Sequence, residues 1–560
     1  MMQINFNREF LPVLDKCDVV VIGGSFGGVS AALALARAGR KVTLVEPRTY
    51  LGREITATLR PWIILSDKVN PTGLTDVIKE CINSSGASAV AGEIPLHMNA
   101  VKTCLEDLVL TAGIKLIYAS LPVDLCFAQD TLQGVVIGNK SGRQVILCKV
   151  LIDATETALV ARLAGAKFGV AQKGQALFRY TLEFGKVGTL DETVLSVPDR
   201  LGIVNDVLML HQGYGGRGNV LVEFEYSLPF GDMSDFELTQ RDALVQQRTT
   251  DLAAYLLTEV PAFDQALLAG GSYELYGPHT PQLADPVSNW AHLPESVMVN
   301  AIATDGTELK TPAVSFSGPI PGIWLLNEAA RVAEPMQALI RDPLISSQLG
   351  VSLADVINQQ WGNVSAHPMK QAAEHNRTGQ TQSASLQIKE AQQPQRGRAY
   401  DLHPAPDTSI PIICTADTII VGGGTSGAVA AIVAAQQGIQ TVLVEMNPGL
   451  GGTGTYGGIH SYWFVRHMGF EARIIDLVNQ MQKRLRHGKI KGPIPEWNIE
   501  AKARALMQEA QTTGVKMLFN SLVIGTIVEG NVVRGVVVAT RTGPVALLGK
   551  VIIDASGDGD

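Results

Sequence analysis

Residues 418–445 read TIIVGGGTSGAVAAIVAAQQGIQTVLVE. The stretch opens with Ile419, Ile420 and Val421, an apolar run short enough for a strand buried on both faces. GGGTSG follows at 422–427, a G-x-G-x-x-G pattern. Small residues then run without proline to Gly438, which suits a helix packed close on a sheet, and a second apolar run ends on Glu445. Gly422 allows the tight strand-to-helix turn, Gly424 lets a pyrophosphate approach the backbone, and Gly427 lets helix and strand pack closely. The helix start offers free N–H groups and a partial positive charge. Glu445 is placed to accept from a ribose hydroxyl. A glycine-rich turn of some other α/β protein would not need all these parts in register. The stretch predicts a dinucleotide site, and an acid at its end suits FAD and NAD equally.

The same unit stands earlier. Residues 18–46 read DVVVIGGSFGGVSAALALARAGRKVTLVE, and Gly23 and Glu46 are 23 apart, as are Gly422 and Glu445. Gly113 and Gly514, Gly134 and Gly535, and Asp153 and Asp554 each lie 401 apart. A period near 400 is too long for a solenoid and predicts two homologous domains in tandem.

The 560 residues are 46% hydrophobic and 18% charged, as in a globular protein with a large core. A net charge of −8 leaves no basic footprint for nucleic acid. The six cysteines, at 17, 81, 104, 126, 148 and 414, form no C-x-x-C, which argues against a disulfide framework, a zinc site or an iron–sulfur cluster and fits free thiols in a cytoplasm. No metal site is expected. The N-terminus carries Arg8, Glu9, Asp15 and Lys16 and no signal-peptide pattern, and the uncharged run 19–36 reads as a glycine-turn unit rather than a membrane span.

Along the chain, residues 1–16 read as an extension and 17–361 as a first unit, with a nucleotide-binding part at 17–170 and 320–360. Its middle, 171–319, differs: LFRYTLEF at 177–184 and VLVEFEY at 220–226 alternate like strands of an antiparallel sheet, and Ser234 with Glu237 forms a capping box opening a long helix. That block reads as a substrate-covering part. Residues 322–330 return to strand and turn, with a helix to about 340. Residues 362–412, rich in glutamine, read as a partly disordered linker, and 413–560 as a second unit. After Asp153 the first unit runs on for some 200 residues, but after Asp554 six remain. The second unit therefore reads as a nucleotide-binding half alone, either in a chain cut short or with its other half supplied elsewhere.

The VIGG and VGGG starts, the acid followed by Leu450, Gly451 and Gly452, and the IDASGDGD end at 553–560 resemble the FAD-dependent oxidoreductases of the glutathione-reductase-like fold. The likeness covers about 15–360 and 415–560. It implies an α/β fold of Rossmann-like, three-layer FAD-binding domains, with the antiparallel block in the first copy. It also implies FAD rather than NAD at 422–427. By the same likeness Gly422, Gly423, Gly424, Thr425, Ser426, Gly427, Glu445, Gly451, Gly452 and Thr453 hold the cofactor. Val523 offers its N–H to adenine, and Asp554, Gly557 and Asp558 lie beside the diphosphate and ribityl chain. In the first copy the matching residues are Gly23, Gly24, Ser25, Gly28, Glu46 and Arg53, with four departures. Ser25 stands for Gly424, Arg53 for Gly452, Pro122 for Val523 and Glu156 for Gly557. Proline lacks the N–H and Glu156 sets an anion near phosphates, although Arg53 offers a cation.

The expected function is an FAD-dependent oxidoreductase passing hydride from a small organic substrate to flavin, with a second, unidentified electron acceptor. Tyr456, His460, Tyr462, Arg466 and His467 follow the glycine loop and are candidates to face the flavin ring, His460 as a base and Arg466 for a substrate carboxylate. Their plainer role is packing or surface. The alternatives are a non-catalytic tandem scaffold and an NAD-binding second unit. No nucleic-acid or membrane partner is expected, and a homo-oligomer is compatible with this reading.

Overall fold

The computed structural model describes residues 2–6, 8–64, 74–88, 92–128, 131–169, 174–190, 192–214, 216, 218–231, 233–284, 296–297, 314–332, 339–364, 386–391, 399–462, 468–486 and 496–559. Arg466 and His467 lie outside them.

The first unit is built on a parallel sheet in the order Ile323–Leu325, Val150–Asp153, Val19–Ile22, Val42–Val45, Lys115–Ile117. Val19–Ile22 and Val42–Val45 are buried at every residue, because helices cover the faces of a parallel sheet. Helix Phe26–Arg37 starts directly after the first glycine turn. Helix Pro343–Gln359 crosses it closely: a Cβ on Gly350 would lie 2.2 Å from the Gly27 carbonyl oxygen. The expected helix running to about 340 does not form over 326–332, where a turn and the short strand Arg331–Val332 stand instead. The helix begins after Asp342, whose carboxylate accepts from the Leu344 and Ile345 N–H groups, with Pro343 in the first turn. A mixed layer in the order Phe10–Lys16, Gly142–Leu147, Thr131–Asn139, Leu121–Ala128 completes the unit: its last three strands are antiparallel, and Phe10–Lys16 runs parallel to Gly142–Leu147.

The second unit uses the same registers. Val421 pairs with Val444 and Asp554, as Ile22 pairs with Val45 and Asp153. Its sheet runs Leu386–Lys389, Leu522–Glu529, Val532–Thr540, Gly543–Asp554, Ser409–Val421, Thr441–Val444, Lys516–Leu518.

Two expectations need correction. The stretch 362–412 is not a free linker where it is described. Leu386–Lys389 pairs with Leu522–Glu529, Leu402–Pro404 pairs with Phe10–Lys16, and Ser409–Val421 runs straight into the glycine turn. Next to the first of these, Glu390 accepts from Arg143 Nη2 at 2.8 Å, an ion pair with Arg143 wholly buried. Residues 365–385 and 392–398 lie outside the description. Residues 1–16 are no mere extension either: Gln3–Asn5 pairs with Ser409–Val421, and Phe10–Lys16 pairs in parallel with Gly142–Leu147.

The block between the units is an antiparallel sheet ordered Val194–Ser196, Val207–Gln212, Val220–Phe230, Gly174–Gly185, Leu267–Gly271, backed by helix Asp235–Glu259 with its capping box intact. This block shares one apolar core with the second unit, in which Phe178, Leu182, Phe224 and Leu256 join Ile420, Ala428, Ile432 and Phe519. Arg504 Nη1 donates to Thr249 and Thr250, and Thr239 Oγ1 accepts from the Phe519 N–H. The part assigned by chain order to the first unit therefore also covers the second. No helix among the described residues is long and apolar enough to cross a membrane, no metal-holding cluster occurs among them, and all six cysteines are free thiols.

Candidate functional site

Strand Ser409–Val421 ends in Gly422, whose φ of +95° only glycine adopts readily, and a Cβ there would sit 2.4 Å from the Ala555 oxygen. A Cβ on Gly427 would meet the Gly422 oxygen at 1.8 Å, so the turn closes only with glycine. Gly424 is different: nothing stands within 4 Å of where its Cβ would be. It faces a cavity of about 520 Å³. Helix Gly427–Gln436 opens onto it without a side-chain cap, since Ser426 makes no capping hydrogen bond. The uncapped helix start and the open glycine together give a cradle for an anion.

Gly422, Gly424, Thr425, Ser426 and Glu445 line this cavity. So do Gly452, Thr453, Tyr456, Val523 and Gly557. Glu445 is 4% exposed, and its carboxylate accepts from the Gly423 N–H at 2.5 Å and from both nitrogens of Asn447 at 2.7 Å. Burial raises its pKa. Gly423 packs on Leu450, and Gly451 has φ +106° with Thr455 against it. Asp554 turns outward, accepting from the Ser556 N–H and hydroxyl, and Asp558 is exposed and paired with Lys140.

Of the ring-facing candidates among the described residues, Tyr456 alone lines the cavity. Burial pushes its pKa well up, so it stays a protonated hydroxyl, and its ring lies 5.5 Å from that of Tyr273. His460 is exposed and contributes its carbonyl to the Trp497 N–H. Tyr462 lies 2.8 Å from Lys502 Nζ. Lys502, which the sequence did not single out, is buried with its ammonium 3.6 Å over the Trp497 ring, and burial lowers its pKa to about 8. Sequence reasoning also missed Lys140, Asn447 and Ser521 in the cavity wall. Lys140 arrives from the first unit, and no local signal points to it.

The first unit makes the same turn and then fills it. Gly23 has φ +102°, and a Cβ on Gly28 would lie 2.1 Å from the Gly23 oxygen. Ser25 Oγ accepts from the Gly28 N–H at 3.0 Å, Ser346 Oγ accepts from Gly27, and the Glu54 carboxylate accepts from Phe26. The helix start is spent on protein atoms. Glu46 accepts from the Gly24 N–H and from Arg48. Arg48 also donates to Glu156 at 2.7 Å and to Glu274 at 2.5 Å. Arg53 donates to Glu274 at 2.7 Å, and its Nη2 lies 2.7 Å from His279 Nε2. Burial alone would raise the Glu156 pKa, but Arg48 and Arg53 hold it low. Burial, then Arg53, keeps His279 well below its ordinary value and neutral. The space left beside Ser25, Arg53 and Glu156 is about 50 Å³. That holds a water or two, not a dinucleotide. A second-unit cavity ten times larger fits such a ligand, and the first-unit residues do not.

The family described as FAD dependent oxidoreductase matches residues 18–272 and 417–560, which span both glycine turns and the antiparallel block. Bacilliredoxin reductase Bdr of Bacillus subtilis is 42% identical over 60 residues, 11% of this chain and 17% of that protein. Digeranylgeranylglycerophospholipid reductase 2 of Methanothermobacter thermautotrophicus is 28% identical over 170 residues, 28% of this chain and 43% of that protein. The chain thus spans less than half the length of these curated relatives. Among solved structures, a geranylgeranyl bacteriochlorophyll reductase-like protein from Thermoplasma acidophilum aligns with a TM-score of 0.39 at 15% identity, over 63% of this chain and 81% of that one.

Proposed function

The chain belongs to the FAD-dependent oxidoreductase family and its cofactor is FAD, and from that premise we propose that it holds one FAD in the second unit and oxidises a small organic substrate. The observation that carries this reading is the contrast at equivalent positions. Gly424 faces about 520 Å³ of open cavity, while Ser25 closes the matching helix start and leaves about 50 Å³.

In this reading the uncapped start of Gly427–Gln436 receives the diphosphate, Glu445 accepts from the ribose hydroxyls, and the Val523 main chain meets the adenine. Flavin, when bound, supplies the hydride acceptor, and a second acceptor takes the electrons on. Tyr456, buried against Tyr273, closes one wall to water and presents a protonated hydroxyl. The first unit serves as a docking body, its turn locked by Arg48, Arg53, Glu156 and Glu274. The substrate and electron acceptor are small molecules in this proposal, and the compartment is the cytoplasm, in keeping with six free thiols.

The test is an absorbance spectrum of the purified chain, then identification and counting of the released nucleotide. One FAD per chain is the expected result. Two flavins per chain, or a nicotinamide nucleotide, would overturn the assignment.

A further inference from the structure

The cavity in the second unit carries a lysine from the first. Lys140 sits at the tip of the hairpin formed by Thr131–Asn139 and Gly142–Leu147, and it lines the cavity beside Gly557. It is the one cation lining that cavity among the described residues. The hairpin is held in place from both sides. Just past its tip Arg143 is locked to Glu390 through Nε and Nη2, and Glu390 follows a strand of the second unit's own sheet. Gly138, directly opposite Arg143, packs against Ile524, next to Val523. A Cβ on Gly138 would come within 3.1 Å of the Ile524 side chain, so the hairpin and that strand are in close contact. The Lys140 ammonium pairs there with Asp558, 33% and 58% exposed respectively.

The arrangement is reciprocal. Arg541 stands 401 positions after Lys140, at the tip of the matching hairpin of the second unit, between Val532–Thr540 and Gly543–Asp554. Its carbonyl accepts from Thr157, which stands 401 positions before Asp558. Each unit sends a basic hairpin tip to the residue that follows the other's site-closing strand. In the first unit the chamber that Arg541 reaches is already lined by Arg48 and Glu156 and measures about 90 Å³. In the second unit it is open.

We infer that Lys140 is a cofactor-binding residue supplied across units: its ammonium, bridging to Asp558, neutralises the diphosphate of the FAD held by the second unit. This rests on the cofactor placement proposed above. A dinucleotide diphosphate carries negative charge that one helix start offsets only in part, and the one acid lining the cavity among the described residues, Glu445, is the residue assigned to the ribose. Lys140 gives the closed first unit a working role in the site it does not contain.

The experiment titrates FAD into the apo full-length chain, wild type, Lys140→Met and Lys140→Arg, at low salt and at about 0.5 M NaCl. Lys140→Met should raise the FAD dissociation constant about tenfold at low salt, the size of one charge-assisted hydrogen bond. The loss should shrink at high salt, and Lys140→Arg should stay close to wild type. A loss of equal size at both salts would make Lys140 a packing residue and overturn the inference, as would an unchanged constant. A wild-type chain that takes up no FAD would instead sink the placement in the second unit.

Discussion

The Glu54 carboxylate accepts the main-chain N–H of Phe26 at 3.1 Å, in the first turn of the helix that follows the first glycine turn. The matching pair in the second unit is Thr453 and Thr425, whose hydroxyls are 3.5 Å apart, and both line the open cavity. An internal carboxyl group thus occupies in one unit the kind of place a phosphate takes at a helix start.

Gly424→Asp should abolish flavin content, because the new carboxylate would project into the cavity at the diphosphate's approach. Ser25→Asp, the equivalent change in the first unit, should keep the flavin, since aspartate caps a helix as well as serine. Flavin absorbance per chain decides it. Loss of colour from the Ser25 variant alone would make the first unit the working site.

Glu445→Ala should weaken FAD binding by about 1–3 kcal/mol, the range for a lost charged hydrogen bond. Burial raises the Glu445 pKa, so its carboxylate is lost by protonation above the ordinary glutamate range. FAD affinity should therefore fall with pH in mild acid for the wild type and not for Glu445→Gln. Parallel pH profiles for the two would remove the ribose role.

Glu274→Ala should destabilise the chain by about 3 kcal/mol, because it takes from buried Arg53 the carboxylate it donates to and leaves Arg48 with Glu46 and Glu156 alone. Flavin per folded chain should not change. Urea melts read the first quantity and absorbance the second; a loss of flavin with stability intact would place the cofactor beside Arg53.

Asp153 is wholly buried, and burial pushes its pKa up to about 6. A folded pKa above the unfolded value means that the folded state holds the proton longer. The stability it contributes is present below the unfolded pKa of 3.8 and is lost as pH rises to about 6. The difference in Tm between wild type and Asp153→Asn should change across that window and be flat above it. A constant difference from acid to neutral pH would show that folding does not shift the Asp153 titration.

Lys502 titrates at about 8, lowered by burial, with its ammonium over Trp497. The wild-type minus Lys502→Met difference in tryptophan fluorescence should follow a midpoint near that value, as the cation leaves the ring. No transition between neutral pH and the ordinary lysine range would show that the ammonium stays charged there.

Much of the fold was legible because its signals are local. Gly422 and Gly427 are demanded by the backbone of one turn, and Asp554 and Glu445 sit at the ends of strands whose apolar runs announce them. Ser234 and Glu237 cap a helix three residues apart. Those features depend on sterics and hydrogen bonds between near neighbours, so the order of residues alone determined two glycine-turn units, an antiparallel block and a dinucleotide-type cavity at 422–427. The tertiary structure alone decided which turn is open. Glu274, His279 and Ser346, which help close the first, lie more than 200 positions from the turn they fill. Lys140 reaches a cavity 282 positions from its opening glycine, Gly422, and Glu390 turns an apparent linker into an anchor for Arg143. Each is an ordinary charged or polar residue in its own neighbourhood. What it does is set by which distant backbone brings it a partner, and a buried charge must find one because leaving it unpaired costs several kcal/mol.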